Sequence, residues 1–244
     1  MFMSKPEEDF PNSEVIDILS DRHNKLVQLR QTPDGNKLVA RIYGSKALAD
    51  MYEDGEFTFT QADETFRSFF EEAGIRVLDT TQLAGTEQNF DTVVVVEYLE
   101  NLIPLAQAQT STKVSLAERL PKLMRNDGIY GLHYQAVGPR TFDVIKDSEG
   151  NEEVVVVDTD PYLQRKSVTM RSFWIERLSD LLWNACDESE REEVLTAFIM
   201  SLSDELGDDL DTDPSLLDAF ADAHLMSNGV HPRQMRSYGS DYSN

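Results

Sequence analysis

The chain has 244 residues, 40% of them hydrophobic and 27% charged, which is enough material for one large domain or two lobes around a sizeable core. A formal net charge of −23 repels nucleic-acid phosphates, so no DNA or RNA partner is expected. Cys186 is the only cysteine, which excludes an intrachain disulfide and a cysteine-built zinc site and makes a reducing, cytoplasmic setting the simplest expectation.

The opening MFMSKPEEDF is acidic and lacks the apolar core of a signal peptide. Residues 1–13 are expected to form a flexible arm. No apolar run approaches the roughly 18 residues of a membrane helix, so no membrane partner is expected. KLVQLRQ (Lys25–Gln31) and KLVARIY (Lys37–Tyr43) flank Asp34-Gly35, a strong hairpin signal. A short helix is expected over Ser45–Tyr52. A longer one starts near Thr60, with Phe66, Phe69, Phe70 and Ala73 on one face and Gly74 as its terminator. IRVLDTTQL (Ile75–Leu83) and FDTVVVVEYL (Phe90–Leu99) read as strands.

The character changes near Asn101. VSLAERLPKLMRN contains a helix with a proline at 121. Strands at Phe142–Lys146 and Glu153–Val157 embrace a turn with Gly150. From Ser167 the chain reads as helical. Phe173, Trp174, Leu178, Leu181 and Leu182 form one apolar stripe. Ser189–Leu206 forms a second helix, ended by Gly207. Pro214–Ser227 forms a third, capped by Asp213 and ended by Gly229. The tail from 230 to 244 lacks periodicity and is expected to be disordered. The fold class is α+β, with a β-rich part over 14–100 and a helical part with an embedded hairpin over 101–229.

VVVVDTDPY (Val154–Tyr162) carries the sharpest chemical signal. A strand buried on both faces delivers Asp158 and Asp160 to one face of an extended segment. Two carboxylates so placed repel each other unless a cation or a proton intervenes, which points to a metal site. The alternative is an Asp-rich turn. Arg41 is either a phosphate-binding cation or a solvated strand residue sharing a face with Lys37 and Tyr43.

This order of elements resembles the protein-kinase-like fold, in its aminoglycoside phosphotransferase and choline-kinase-like branch, over roughly residues 15–225. SDRHNKLVQL resembles the nucleotide loop, with Asn24 in the place of its asparagine. LVARIYG resembles the strand whose cation meets the phosphates, here Arg41. ADETFRSFFEEAGIRV resembles the helix whose early acid pairs with that cation, Glu64 first and Asp63 second. VVVVEYLENL resembles the strand leading to the adenine hinge, with Glu97 and Leu99 standing there. VVVVDTDPY resembles the strand delivering the metal-binding aspartate, Asp158, with Asp160 beside it. The resemblance implies ATP and Mg2+ as ligands and a small β-rich N-lobe over a mainly helical C-lobe.

The departures are as informative. SDRHN has no glycines to let the backbone approach phosphate. Counting back from Asp158 to the catalytic aspartate arrives among Ala136, Val137, Gly138, Pro139 and Arg140, and Thr141 stands for the metal-binding asparagine. His133 resembles the histidine of the His-x-Asp motif, but Gln135 then takes the aspartate position. Asp127 serves only with an insertion after it. His133 and Asp127 are therefore the weak catalytic candidates. The resemblance implies a degenerate, pseudokinase-like protein that binds a nucleotide, a metal or a protein partner. The alternatives are an active, divergent ATP-dependent phosphotransferase acting on a small hydroxylated or cationic substrate, and an acidic structural or interaction protein without a nucleotide site. In the last case Arg233, Arg236, Tyr238 and Tyr242 of the tail are a docking segment.

Overall fold

The structure is a computed structural model and describes residues 13–22, 25–44, 57–84, 92–124, 130–133, 136–138, 140–165 and 170–232. The expected helix at 45–52 and the tail beyond Pro232 lie outside the described residues.

The Asp34-Gly35 turn sets the first hairpin. Gly35 takes φ 89°, a conformation that a Cβ would strain, and its N–H donates to the Thr32 carbonyl. β2 (Lys25–Gln31) and β3 (Lys37–Tyr43) then pair antiparallel from Gln31↔Lys37 to Lys25↔Tyr43. The five-stranded sheet runs in the order β1-β2-β3-β6-β5, with β1 (Glu14–Arg22) at one edge and β6 (Thr92–Glu97) and β5 (Thr80–Ala84) on the other side. The sequence hid β1. Its apolar residues fall at 15, 16, 18 and 19, which breaks strict alternation. The pairing absorbs this with register shifts between Val15 and Asp17 and between Ile18 and Ser20.

Helix α1 (Phe59–Glu72) comes after β3 and before β5 and β6 in chain order. Thr58 and Gln61 form a capping box, each side chain accepting from the other's backbone N–H. Phe59, Ala62, Phe66 and Phe70 are buried at helical spacing. Gly74, at φ 72°, turns the chain out of the helix, and Ile75 N–H returns to the Phe70 carbonyl.

The single strand expected over Ile75–Leu83 is two. β4 (Arg76–Val77) runs parallel to β10 (Glu152–Val156), and β5 joins β6 in the first sheet. Leu78 and Asp79 make the crossing. Leu78 N–H donates to the Val156 carbonyl, and the Asp79 carbonyl accepts from Glu97 N–H. One short segment thereby contributes a strand to each sheet.

The second sheet runs β4-β10-β9-β7, with β9 at Phe142–Lys146 and β7 at Leu102–Pro104. A two-stranded ribbon pairs β8 (Tyr130–Leu132) with β11 (Leu163–Arg165). The proline-bearing helix is α2 (Thr110–Arg119), and Pro121 falls in the 3-10 turn Leu120–Met124 that follows. The helical remainder is α3 (Met170–Ala185), α4 (Arg191–Leu206), the short α5 (Asp209–Thr212) and α6 (Pro214–Ser227). Asp213 caps α6 by accepting from Ser215 N–H. Trp174, Leu178, Leu181 and Leu182 are buried as their spacing suggests, whereas Phe173 is 61% exposed, because it stands one position off the inward face of α3.

This is a β-rich N-terminal part and a helical C-terminal part carrying a hairpin, the α+β arrangement of the expectation. A continuous buried cluster runs from Tyr43 and Phe59 through Phe142 and Val155 to Leu202 and Met226. Phe70 and Phe142 meet edge to face at 6.1 Å and tie α1 to β9. Among the described residues, no helix is long and apolar enough to cross a membrane.

Candidate functional site

Val154, Val155 and Val156 are buried, as a strand covered on both faces requires. After them the chain leaves the sheet, and Thr159 and Asp160 turn inward to 1% and 4% exposure. In direct contact with them are the last residues of β3 and the first of β2. Arg41 Nη1 donates to Asp160 Oδ1 at 3.0 Å and to Thr159 Oγ1 at 3.0 Å, and Nη2 donates to the Val157 carbonyl at 2.8 Å. Tyr43 Oη donates to the same Asp160 oxygen at 2.9 Å. Lys25 Nζ takes the other oxygen, Oδ2, at 2.5 Å. Its ammonium lies 5.5 Å from the Tyr43 ring centre.

Burial pushes the Asp160 carboxyl up, but Lys25 and Arg41 outweigh it and hold the group below the usual carboxylate range. Asp158 moves the other way. Burial and the neighbouring Asp160 charge push it above the usual range, although Lys25 and Arg41 pull against them. Burial and the Asp160 charge also raise the Tyr43 phenol, so it stays protonated and able to donate. Asp158 is the looser carboxylate, with a side chain 46% exposed and 3.8 Å from Arg41 Nη1.

The Arg41 guanidinium and the carboxylates after the valine run therefore face each other. Two expectations change. Arg41 is neither a solvated strand cation nor paired with Glu64. It is 8% exposed and spends its hydrogen bonds on Val157, Thr159 and Asp160. Glu64 is exposed, because α1 turns Phe66 and Phe70 inward and Glu64 outward. Asp63, the second choice, accepts from Arg67 at 2.9 Å and from Thr80 at 2.8 Å. Asp158 and Asp160 also do not present one shared face to a metal. Asp160 has both oxygens engaged by side chains of β2 and β3, and a guanidinium stands beside Asp158. As arranged, this pair does not fit a divalent cation, because the neutralising charge is already supplied by Lys25 and Arg41.

Glu97, at the end of β6, is paired with Arg76 at 3.0 Å, and Leu99 is half-buried against the core. His133 follows the β8–β11 ribbon. Its N–H donates to the Tyr162 carbonyl at 2.9 Å, and burial lowers its imidazole from the ordinary value. Asn24, Asp127 and Gln135 lie outside the described residues. Thr141 is buried and structural. Its hydroxyl accepts from Gly138 N–H, and its carbonyl accepts from Val157 N–H.

Lys25, Tyr43 and Thr159 were missed by sequence reasoning. A signal existed for two of them. The Asp-Gly turn fixes the hairpin register, and that register sets Lys25 opposite Tyr43. Tyr43 shares a strand face with Arg41 two residues earlier.

No protein-family model and no curated protein sequence matches the chain. Among solved structures, it is similar to an amicoumacin kinase, hAmiN, in complex with AMP-PNP, Ca2+ and Ami. The identity there is 14% over 89% of this chain and 82% of that one, with a TM-score of 0.43. It is also similar to the Rio2 kinase of Chaetomium thermophilum in an ADP/Mg2+-phosphoaspartate complex, at 12% identity over 92% of this chain and 73% of that one and a TM-score of 0.43. A second structure of that kinase gives 11% identity over 89% and 74%, again with a TM-score of 0.43.

Proposed function

We propose that this chain is a kinase-like pseudoenzyme, a binding protein whose inter-lobe groove is closed by its own charges. The observation that carries this reading is the engagement of Asp160. Its two oxygens receive Lys25, Arg41 and Tyr43, so the tethered ammonium and guanidinium stand where a metal and a phosphate would otherwise be neutralised. The catalytic loop supports the same reading. With His133 leaving the β8–β11 ribbon, the His-x-Asp position of the resemblance falls on Gln135, and Thr141 stands for the metal-binding asparagine. A glutamine amide takes no proton from a hydroxyl nucleophile, and loss of such a base removes roughly 10²–10⁴ in rate.

Nucleotide and Mg2+ are therefore weak ligands at best for the closed groove, and the working interaction is with a protein. The test is turnover and melting temperature in the presence of ATP with Mg2+. ADP formation is expected to stay at the level of buffer, and the melting temperature is expected to stay unchanged. ADP formation that disappears in Asp158→Asn would overturn the reading in favour of an active phosphotransferase.

A further inference from the structure

The strand that the sequence hid is also the most apolar exposed element of the molecule. On β1, Val15, Ile16, Ile18 and Leu19 are 43%, 42%, 59% and 52% exposed. No other described element carries more than two exposed large hydrophobic residues. β1 pairs with β2 on one side, and among the described residues no strand pairs with its other side. An edge strand with exposed apolar side chains on both faces offers backbone donors and acceptors as well as apolar contacts.

The strand is also acidic, with three carboxylates against one cation, Arg22. Glu14, Asp17 and Asp21 are exposed along its nine residues. Asp17 accepts the Ile18 N–H at 2.8 Å. Two register shifts and acidic side chains are devices that discourage an edge from joining its own kind. A second copy would also bring −23 against −23. Both features disfavour self-pairing and favour a partner of opposite charge.

We infer that the outer edge of β1 is a docking edge for an extended segment of a partner protein in which basic residues alternate with apolar ones. The segment adds as a further strand beside Glu14–Arg22, its backbone pairs with the free edge, its apolar side chains cover Val15, Ile16, Ile18 and Leu19, and its cations meet Glu14, Asp17 and Asp21. The inference does not depend on the reading of the groove, since β1 contributes nothing to the Asp160 cluster.

The probe is an acetylated, amidated ten-residue peptide alternating lysine and valine. A companion peptide of equal charge carries proline at every second valine and cannot pair along a strand. Amide chemical shifts of the full chain are followed on titration. The alternating peptide is expected to shift residues 14–22 and to bind about tenfold more tightly than the proline peptide. Ile18→Pro, whose ring and fixed φ interrupt pairing along the strand, is expected to erase that difference, and Val15→Ser with Leu19→Ser to reduce it while the melting temperature holds. Equal binding of the two peptides would reduce the effect to bulk charge and overturn the proposal. So would shifts confined to other elements, or a chain that sediments as a dimer and becomes monomeric in Ile18→Pro, since a second copy would then own the edge.

Discussion

Lys25 Nζ stands 2.5 Å from Asp160 Oδ2 and fastens the start of β2 to the segment that leaves β10. The contact closes a cluster in which Arg41 and Tyr43 share the other oxygen. A buried carboxylate with these partners is held by the whole set. Lys25→Met leaves Arg41 and Tyr43 in place, and it should lower the unfolding free energy by about 1–3 kcal/mol, the range for a charged hydrogen bond. Asp160→Asn strips the buried Arg41 of its main counter-charge, and it should cost more, about 3–5 kcal/mol. Combined, the two changes should fall well short of their sum, because both act on one network. Urea denaturation of the four proteins measures this, and additive losses would mean that Lys25 and Asp160 are not coupled.

The two aspartates should answer pH with opposite signs. Asp160 is held below its unfolded range, so its contribution is present above an unfolded pKa of about 3.9 and is lost as pH falls through its folded value. Asp158 is raised, so its contribution is present below that same unfolded value and disappears as pH climbs through its folded value. At neutral pH, Asp158→Asn should therefore cause no loss of stability, while Asp160→Asn causes a large one. Toward the acid limb the gap between wild type and Asp160→Asn should close. Melting curves between neutral and acid pH read both effects, and a large loss in Asp158→Asn at pH 7 would reverse the assignment of the tighter carboxylate.

Local signals in the sequence located the elements whose local chemistry is strong. The Asp34-Gly35 turn, the Phe66–Phe70 spacing and the Asp213-Pro214 cap each act over a few residues, and each element formed there. β1 escaped because its two register shifts scramble the period of two, so its apolar spacing looks no more strand-like than helical. The split of Ile75–Leu83 escaped because no glycine or proline marks the break and only the position of β10 decides which half pairs with it. In the site, the meeting of Arg41 with the carboxylates followed from the order of elements. The seizure of Asp160 by Lys25 and Tyr43 did not, since it depends on how far β2 and β3 lean over the segment that leaves β10. Glu64 was assigned by resemblance alone, and the buried face set by Phe66 and Phe70 leaves it on the outer side of α1.

A second buried pair holds the helical part together. Lys113 of α2 is 2% exposed, and its ammonium meets Glu190 Oε2 at 2.6 Å and the Ala106 carbonyl at 3.2 Å. Glu190, just before α4, also accepts from Thr110 and from Asp187 N–H. Glu190→Gln leaves an ammonium buried without a counter-charge and should cost about 3–5 kcal/mol. Adding Lys113→Met removes the stranded charge and fills the same volume, so the double variant should recover much of that loss. Chemical denaturation of the single and double variants tests the pair, and a double variant weaker than Glu190→Gln would show that Lys113 acts through its other contacts.

Cys186 offers a direct view of this same region. It is 5% exposed at the end of α3, and burial, together with Glu190 and Asp187 against the pull of Lys113 and Arg191, pushes its thiol up to about 11. The thiolate is the reactive form, so at pH 8 the folded protein should scarcely react with an aromatic disulfide reagent. Denaturant should release one thiol per chain, because the sequence holds one cysteine. Glu190→Gln loosens the packing around Lys113 and should raise the labelling rate in native buffer by more than the global stability loss alone accounts for. Labelling followed by absorbance across a denaturant series separates local from global opening. If the variant and the wild type fall on one curve when plotted against their unfolding free energies, the opening is global and the Lys113–Glu190 pair guards no local route to the thiol.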